Sequence, residues 1–215
     1  MEAKFQLNCT EGVDGIPGGK DFIGLRISRA NHNCRPNACC SYDEEAKVAI
    51  LYALQDIQPG EEISVNYCPF TRLAPPELEF DACKMSLRDH WGIGCPLDCF
   101  CNDLNARKLV MEEKRLNDVI KSLVQSGCLG EALTIGEKRL ETLRQLNMSW
   151  GRCASLECAL FHLAIRKKET LPRAEKCVRS ALKVFRIIRP FSKLIAKYEM
   201  LLKHPEVDEY YLKLE

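Results

Sequence analysis

The sequence predicts an α+β protein, in which a small β-rich unit with a cysteine-rich segment precedes an all-α region of helical hairpins. Short apolar or alternating stretches typical of strands end before residue 68, and three cysteines crowd residues 95–101. After residue 104, apolar residues recur at the spacing of amphipathic helices. We therefore expect three segments, with bounds of 1–80, 81–104 and 105–215.

Composition argues against several classes of function. The 215 residues carry 31 basic and 30 acidic side chains, so the net charge of +1 gives no global field that favours nucleic acid or an anionic membrane. No apolar run approaches the roughly 20 residues of a transmembrane helix, and the N-terminus lacks the layout of a secretory signal. The odd count of 13 cysteines favours reduced thiols over a disulfide framework. We expect a soluble protein without direct contacts to nucleic acid or membrane.

The N-terminal part predicts a loop and then a strand. Residues 1–28 are loop-like, because the glycines and proline of residues 12–19 punctuate them. The run 46–54 is almost continuously apolar and is followed by the turn signal Pro59-Gly60. Its length and composition predict a strand that is buried on both faces.

Alternation predicts a second strand. Ile63, Val65 and Tyr67 alternate with Ser64 and Asn66, and successive side chains of a strand point to opposite faces. The three larger side chains therefore share one face. Because a turn signal separates this strand from the preceding one, we expect the two to pair as a β-hairpin with an extended turn.

The helical region begins with an apolar stripe between residues 109 and 124 that stops at Gly127. Four further amphipathic segments follow at 131–146, 152–167, 172–188 and 192–203. Together they are similar to tetratricopeptide-like (TPR-like) helical hairpins, although the full repeat signature is absent. Apolar stripes of this kind predict a helical core first, with a partner-binding groove as the alternative.

The densest chemical signal is Cys95-x3-Cys99-x-Cys101, which places three thiols within seven residues. Such density indicates a metal, and structural zinc takes four soft ligands in a closed tetrahedron, so a fourth ligand must come from elsewhere. The candidates are Cys34 and, in competition with it, Cys39, Cys40, Cys68 and Cys83. Reduced surface thiols without a metal are the alternative.

Two motifs precede the cysteine cluster. Residues 31–37 read Asn-His-Asn-Cys-Arg-Pro-Asn, and residues 60–67 read Gly-Glu-Glu-Ile-Ser-Val-Asn-Tyr. By itself an Asn-His pair predicts a turn or a buried hydrogen-bond network, and Tyr67 predicts a half-buried strand tyrosine. In this order, and followed by the cysteines, the motifs resemble those of SET-domain lysine methyltransferases. The helical tail is similar to that of fungal SET-domain proteins related to the MYND-containing subfamily.

The resemblance implies a SET-type fold for the β-rich unit, with residues 22–101 as the C-terminal half of a SET domain and its post-SET segment. It also implies a reaction, the transfer of a methyl group from S-adenosylmethionine (SAM) to a lysine of a histone or another protein. By resemblance, Asn31 and His32 bind SAM and Tyr67 is the catalytic residue.

The same resemblance implies a zinc site in the post-SET segment. The ligands would be Cys34, Cys95, Cys99 and Cys101. The spacing departs from the family's usual form, in which the third cysteine follows a Cys-x-Cys pair, and Cys39, Cys40, Cys68 and Cys83 stay in competition.

The beginning of the chain departs from the family's pattern. Complete SET domains open with a strand and a Gly-x-Gly stretch against the methionine end of SAM, and no such element precedes Asn31. We therefore expect either the truncated form of a longer enzyme or a relative that has lost catalysis. The second expectation gives the alternative function, a non-catalytic, zinc-stabilised scaffold that binds protein partners through its helices. Family analogy favours the nucleus, with the cytoplasm as the alternative.

Overall fold

The computed structural model describes residues 26–43, 46–67, 79–146, 150–190 and 192–213. The chain divides into two compact units, the first formed by Met1–Tyr42 and Lys47–Met111 and the second by Asp43–Ala46 and Glu112–Glu215. A small β region with a four-cysteine cluster is followed by helices, which confirms the predicted α+β class. The loop predicted for residues 1–28 lies outside the described residues as far as residue 25, and Ile27–Arg29 form a single 3-10 turn.

Four short strands form two separate pairs in the described part of the first unit. They are β1 (Asn31–His32), β2 (Ala38–Asp43), β3 (Val48–Ala53) and β4 (Ser64–Val65). Strand β1 runs parallel to β4, with Asn31 opposite Ser64 and His32 opposite Val65, and β2 pairs with β3.

The strand predicted over 46–54 is present as β3, but two details of the prediction are wrong. Val48 and Ala53 are exposed, so β3 is not buried on both faces. The second strand is only two residues long and pairs with β1, not with β3 in a hairpin. Alternation predicts which side chains share a face and carries no information on the partner strand, which here comes from far back in the chain.

A small apolar core joins the two strand pairs. Ala30, Ala38 and Val65 are buried at its centre. The partly buried side chains that pack against this centre are Cys40, Leu51 and Tyr67. The alanines leave room for close approach of neighbouring backbones, so even two-residue strands are held in register by the side chains around them.

Six helices follow the strands among the described residues. They are α1 (Glu79–Trp91), α2 (Leu104–Gln125), α3 (Leu129–Leu146), α4 (Trp150–Ala164), α5 (Leu171–Ile188) and α6 (Lys193–Lys203). Helices α2 to α6 confirm the five predicted helical segments, whereas α1 was not predicted. Helix α1 buries Phe80 and Leu87 and ends at Trp91. The next residue, Gly92, has a φ of 67°, which allows the Ile93 N–H to donate to the Leu87 carbonyl at 3.1 Å.

Two buried carboxylates tie the helices of the second unit together. Glu113 on α2 accepts from Arg139 on α3 at 2.6 Å and lies 3.2 Å from Arg152 on α4. Removing a partner from such a buried pair is costly, because it leaves an uncompensated charge in the interior.

A tetratricopeptide-like arrangement of these helices stays a prediction. None of the described helices is both long and apolar enough to cross a membrane.

Glu157 is the second buried carboxylate, and it connects α4 to both α3 and α5. Its Oε1 accepts from Arg144 at 3.0 Å and from the Ser180 hydroxyl at 2.6 Å. Burial raises the pKa of Glu157, while Ser180 and Arg144 act in the opposite direction. The helical core of this unit is thus fixed by polar anchors as well as by its apolar stripes.

The packing of α3 against α4 depends on a glycine. A Cβ at Gly136 would collide with the side chain of Leu160, which is fully buried. We expect Gly136→Ala to lower the free energy of unfolding by about 1–3 kcal/mol, because overpacking forces neighbours out of position. Gly130→Ala, at a helical position with nothing within 4 Å, is the matched control and should leave stability unchanged or slightly raised. Urea unfolding followed by circular dichroism would measure both, and an equal effect of the two variants would contradict this account.

Candidate functional site

The parallel pairing of β1 and β4 brings the two sequence motifs together. The Asn33 N–H donates to the Val65 carbonyl at 2.9 Å and extends the ladder by one residue. Tyr67 lies two residues beyond β4 and packs against the small apolar core. The predicted cofactor-binding residues and the predicted catalytic tyrosine are therefore neighbours, although more than thirty residues separate them in sequence.

A buried asparagine holds this arrangement in place. Asn37 is 6% exposed, and its Nδ2 donates to the Glu61 carboxylate at 3.0 Å and to the Glu62 carbonyl at 2.9 Å. Its Oδ1 accepts from the Ser64 N–H at 2.9 Å, while its backbone carbonyl accepts from the Leu54 N–H at 2.8 Å. One amide thus fixes the Gly-Glu-Glu turn to the entrance of β4.

Tyr67 is held by its hydroxyl and by two rings. The hydroxyl donates to the Ala30 carbonyl at 2.7 Å, and the ring lies 5.5 Å from that of His32 and 5.6 Å from that of Trp91. Burial, with a smaller contribution from the negative charge of Glu62, raises the pKa of Tyr67. The phenol is therefore neutral at physiological pH, and its proton is directed at a fixed acceptor.

The ring of His32 lies between Tyr67 and the cysteine cluster. Its Nδ1 accepts from the backbone N–H of Tyr67 at 3.1 Å, so this nitrogen carries no proton. The proton of the neutral ring is then on Nε2, which lies 3.1 Å from the Cys34 sulfur. Burial lowers the pKa of His32 to about 4, in agreement with a neutral ring.

Asn31 lies at the exposed edge of the same ladder. Its Nδ2 donates to the Glu62 carboxylate at 2.5 Å. Two hydrogen bonds thus place oxygen atoms beside β1: the Ala30 carbonyl with the Tyr67 hydroxyl, and the Glu62 carboxylate with Asn31. Oxygen atoms of this kind suit a cationic ligand better than an anionic one.

Four cysteines form a compact cluster beside this ladder. The sulfur atoms of Cys34, Cys95, Cys99 and Cys101 all lie within 4.8 Å of one another, and those of Cys34 and Cys95 are 3.6 Å apart. Four thiolates about 2.3 Å from one tetrahedral zinc ion have their sulfurs about 3.8 Å apart. The cluster therefore has the donor atoms and the dimensions of a structural zinc site, and Cys34 and Cys101 are buried.

The acidities of these thiols differ. Burial raises the pKa of Cys34, and it raises the pKa of Cys101 to about 12, with hydrogen bonds from neighbouring thiols adding to both. Burial also acts against ionisation of Cys99, but hydrogen bonds from Cys101 and the other thiols outweigh it and lower the pKa of Cys99. Burial thus opposes ionisation of Cys34 and Cys101, and a bound cation would remove that opposition because thiolates are its ligands.

Hydrogen bonds of Asn102 stabilise the loop that carries Cys95, Cys99 and Cys101. Asn102 donates to the carbonyls of Pro96 at 2.8 Å and Leu97 at 3.2 Å, while its own carbonyl oxygen accepts from Lys84 on α1. Polar contacts of Asn102 therefore help to hold the shape of the loop that carries the three sulfurs.

Three of the four competing cysteines lie in the described residues, and none of these three is in the cluster. Within the described part of the chain, Cys39, Cys40 and Cys83 belong to no group of three or more metal-ligating side chains. Cys68 lies outside the described residues. The four residues named by the sequence are thus the ones that the fold brings together.

Three residues near Tyr67 were not identified from the sequence. Ala30 acts through its carbonyl, which no side-chain pattern reveals, and Asn37 acts through partners more than twenty residues away. Trp91 ends the unpredicted helix α1. Its signal was the apolar spacing from Phe80 through Leu87 to Trp91, which is helical.

Comparison with known families assigns this region to a class. The family model of the SET domain matches residues 4–68, a range that contains both motifs. The match begins eighteen residues before the span of 22–101 that the motifs indicated. Residues 4–68 are therefore similar to the SET domain.

One relative is similar to this chain over a short stretch. The mouse protein named Protein-lysine N-trimethyltransferase SMYD5 is 50% identical over 40 residues, which cover 19% of this chain and 10% of the relative. The matched stretch spans about a tenth of that relative's length. The similarity is thus limited to a short segment of both proteins.

The role of the Asn37 amide can be measured directly. We expect Asn37→Ala to lower the free energy of unfolding of the first unit by about 1–3 kcal/mol, because it leaves the buried Ser64 N–H without an acceptor. Asn33→Ala is the control, since Asn33 is exposed and caps only the Arg35 N–H. Tryptophan fluorescence in a Trp150→Phe background reports on Trp91 alone. A loss no larger than that of the control would show that the amide does not hold the turn.

Proposed function

We propose that the chain contributes the lysine-orienting part of a SET-type, SAM-dependent protein-lysine methyltransferase that acts on a histone or another protein. The observation that carries the proposal is the hydrogen bond from Tyr67 to the Ala30 carbonyl, beside Asn31 and His32, within a SET-domain match. The roles of these residues are inferred from this geometry and from the resemblance of the motifs.

Charge complementarity supports SAM as the ligand beside β1. SAM supplies a methyl group on a cationic sulfonium, and the oxygen atoms of Ala30, Tyr67 and Glu62 are complementary to that charge. Asn31 and His32 would hold the cofactor, His32 through backbone groups because its ring nitrogens are already engaged.

Tyr67 would orient the lysine amine. Its proton is committed to Ala30, so the phenol oxygen offers lone pairs to an amine N–H. An amine held in this way directs its own lone pair towards the methyl group, and positioning of this kind accounts for a large part of rate enhancement. With its pKa raised, Tyr67 stays neutral and does not act as a general base.

The aromatic surroundings favour the reactive form of the substrate. Lysine in water has a pKa near 10.4 and is charged at neutral pH, whereas desolvation favours the neutral amine. The rings of His32 and Trp91 lie beside Tyr67, with ring centroids 5.5 Å and 5.6 Å away, and would decrease the solvation of an amine bound there. After methyl transfer the product ammonium loses its proton to solvent.

The tyrosine assignment predicts a separation of binding from turnover. Tyr67→Phe should leave SAM affinity within a few-fold of wild type and lower methyl transfer by about 100-fold or more, since one oriented contact to the reacting group is lost. Calorimetric titration with SAM and transfer of labelled methyl groups to histones would measure the two quantities. Tyr42→Phe removes a hydroxyl from β2 in the same unit and is the control.

Two outcomes would overturn parts of this proposal. Equal turnover by wild type and Tyr67→Phe would remove Tyr67 from catalysis. Absence of SAM binding by the wild-type chain would favour the alternative function, a non-catalytic scaffold that binds protein partners through its helices.

We further assign a structural zinc ion to Cys34, Cys95, Cys99 and Cys101. Cys99→Ser should lower the zinc content from about one ion per chain and decrease the thermal stability of the first unit, because structural zinc contributes folding energy. Cys83→Ser, on α1 and outside the cluster, should keep the wild-type content. Elemental analysis after gel filtration would measure both, and unchanged zinc in Cys99→Ser would exclude this thiol as a ligand.

A further inference from the structure

His32 connects the cysteine cluster to Tyr67 through the two nitrogens of one ring. Nδ1 accepts from the Tyr67 N–H at 3.1 Å, and Nε2 lies 3.1 Å from the Cys34 sulfur. A backbone N–H can only donate, so the first contact fixes the tautomer and directs the Nε2 proton at sulfur. The ring is thus a donor at one end and an acceptor at the other.

The Cys34 sulfur gains from such a donor when it binds a metal. A thiolate accepts hydrogen bonds more strongly than a thiol, and outer-shell donors of this kind orient a ligand and tune the ion it holds. Cys34 is also the ligand that comes from outside the Cys95–Cys101 loop. Its position therefore depends on β1 and its surroundings, while the loop braced by Asn102 positions the other three sulfurs.

The other end of the imidazole ring, Nδ1, accepts a hydrogen bond from the backbone N–H of Tyr67. Strand β4 ends at Val65, so no ladder partner is assigned to the N–H of Tyr67. The imidazole supplies the acceptor instead, and its ring packs on the tyrosine ring at a centroid distance of 5.5 Å. Tyr67 is thus fixed at its backbone by His32 and at its hydroxyl by Ala30.

We propose that His32 is a positioning residue that couples the metal centre to Tyr67, with Nε2–H supporting the Cys34 thiolate and Nδ1 holding the Tyr67 amide. The inference rests on the zinc assignment and the tyrosine role proposed above. It assigns the His32 side chain to the protein's own framework and leaves only its backbone for the cofactor. Loss of the metal is then expected to weaken the hydrogen bond that holds the Tyr67 backbone, because one imidazole ring makes both contacts.

Three variants separate the two ends of the ring. His32→Phe keeps a ring and removes both nitrogens. His32→Gln places its amide nitrogen near the Nε2 position, so it keeps the donor to Cys34. His32→Asn places its amide oxygen near the Nδ1 position, so it keeps the acceptor for the Tyr67 amide. Asn33→Ala is the neighbouring control, since its side chain contacts neither group.

The first readout is the rate of zinc release to a chromogenic chelator. His32→Phe and His32→Asn should release zinc about 10–100-fold faster than wild type, while His32→Gln and Asn33→Ala should stay close to wild type. Cobalt-substituted protein gives a second measure, because loss of the N–H donor shifts the thiolate-to-metal absorption band. The band should shift in the Phe and Asn variants only.

The second readout is hydrogen exchange of the Tyr67 amide in zinc-loaded protein. Wild type and His32→Asn should protect it, and His32→Phe and His32→Gln should lose that protection. Zinc removal should accelerate this exchange in wild type and leave it unchanged in His32→Phe. A general loss of structure would change both readouts in every variant, so the crossed pattern of Gln and Asn identifies a positioning role.

The outcomes separate this inference from the proposed function. Wild-type zinc release and wild-type Tyr67 protection in His32→Phe would overturn the coupling while leaving the zinc site intact. Equal behaviour of the Gln and Asn variants would also overturn it. A wild-type chain that binds no zinc would overturn the zinc assignment and the coupling together, and would leave the tyrosine role to its own test.

Discussion

The parallel register between β1 and β4 is the constraint on which the site depends. Two residue pairs, Asn31 with Ser64 and His32 with Val65, join segments that are far apart in sequence. So short a ladder contributes little stability by itself. It is held by what surrounds it: the Asn37 amide at the entrance of β4, and the small core around Val65. The hydrogen bonds of the buried Asn37 amide and the packing around Val65 together fix a geometry that two-residue strands could not fix alone.

This arrangement places unlike kinds of chemistry next to one another. The cysteine cluster offers soft sulfur donors, while the Ala30 carbonyl and the Glu62 carboxylate offer oxygen atoms. His32 and Tyr67 lie between the two sets, and both are neutral at physiological pH, because burial lowers the pKa of the imidazole to about 4 and raises that of the phenol. The connection between the two regions therefore consists of directed hydrogen bonds and ring contacts, which are less sensitive to salt than ion pairs.

The sequence was most informative where structure is local. Helices α2 to α6 follow from apolar spacing within single segments. Residue type and density point to Cys95, Cys99 and Cys101, whereas Cys34 was named through the family resemblance. Helix α1 was not predicted, although Phe80 and Leu87 carry a helical period. The predicted partner of β4 was wrong because strand pairing depends on residues far apart in sequence. The role of Asn37 could not be predicted because its partners, Glu61 and Glu62, come close to it only in the folded chain. A backbone carbonyl such as that of Ala30 leaves no trace in a side-chain pattern.

The order of the cysteines along the chain also bears on biosynthesis. Cys95 follows Cys34 by 61 residues. At a translation rate of roughly 5–20 residues per second, Cys34 waits about 3–12 seconds before the next member of its cluster has even been synthesised. During that interval its thiol, followed closely by Cys39 and Cys40, lacks the other three sulfurs of the cluster. Assembly of the cluster therefore requires these thiols to stay reduced until Cys95, Cys99 and Cys101 have been synthesised, since an oxidant that reached them first would commit them before the cluster could close.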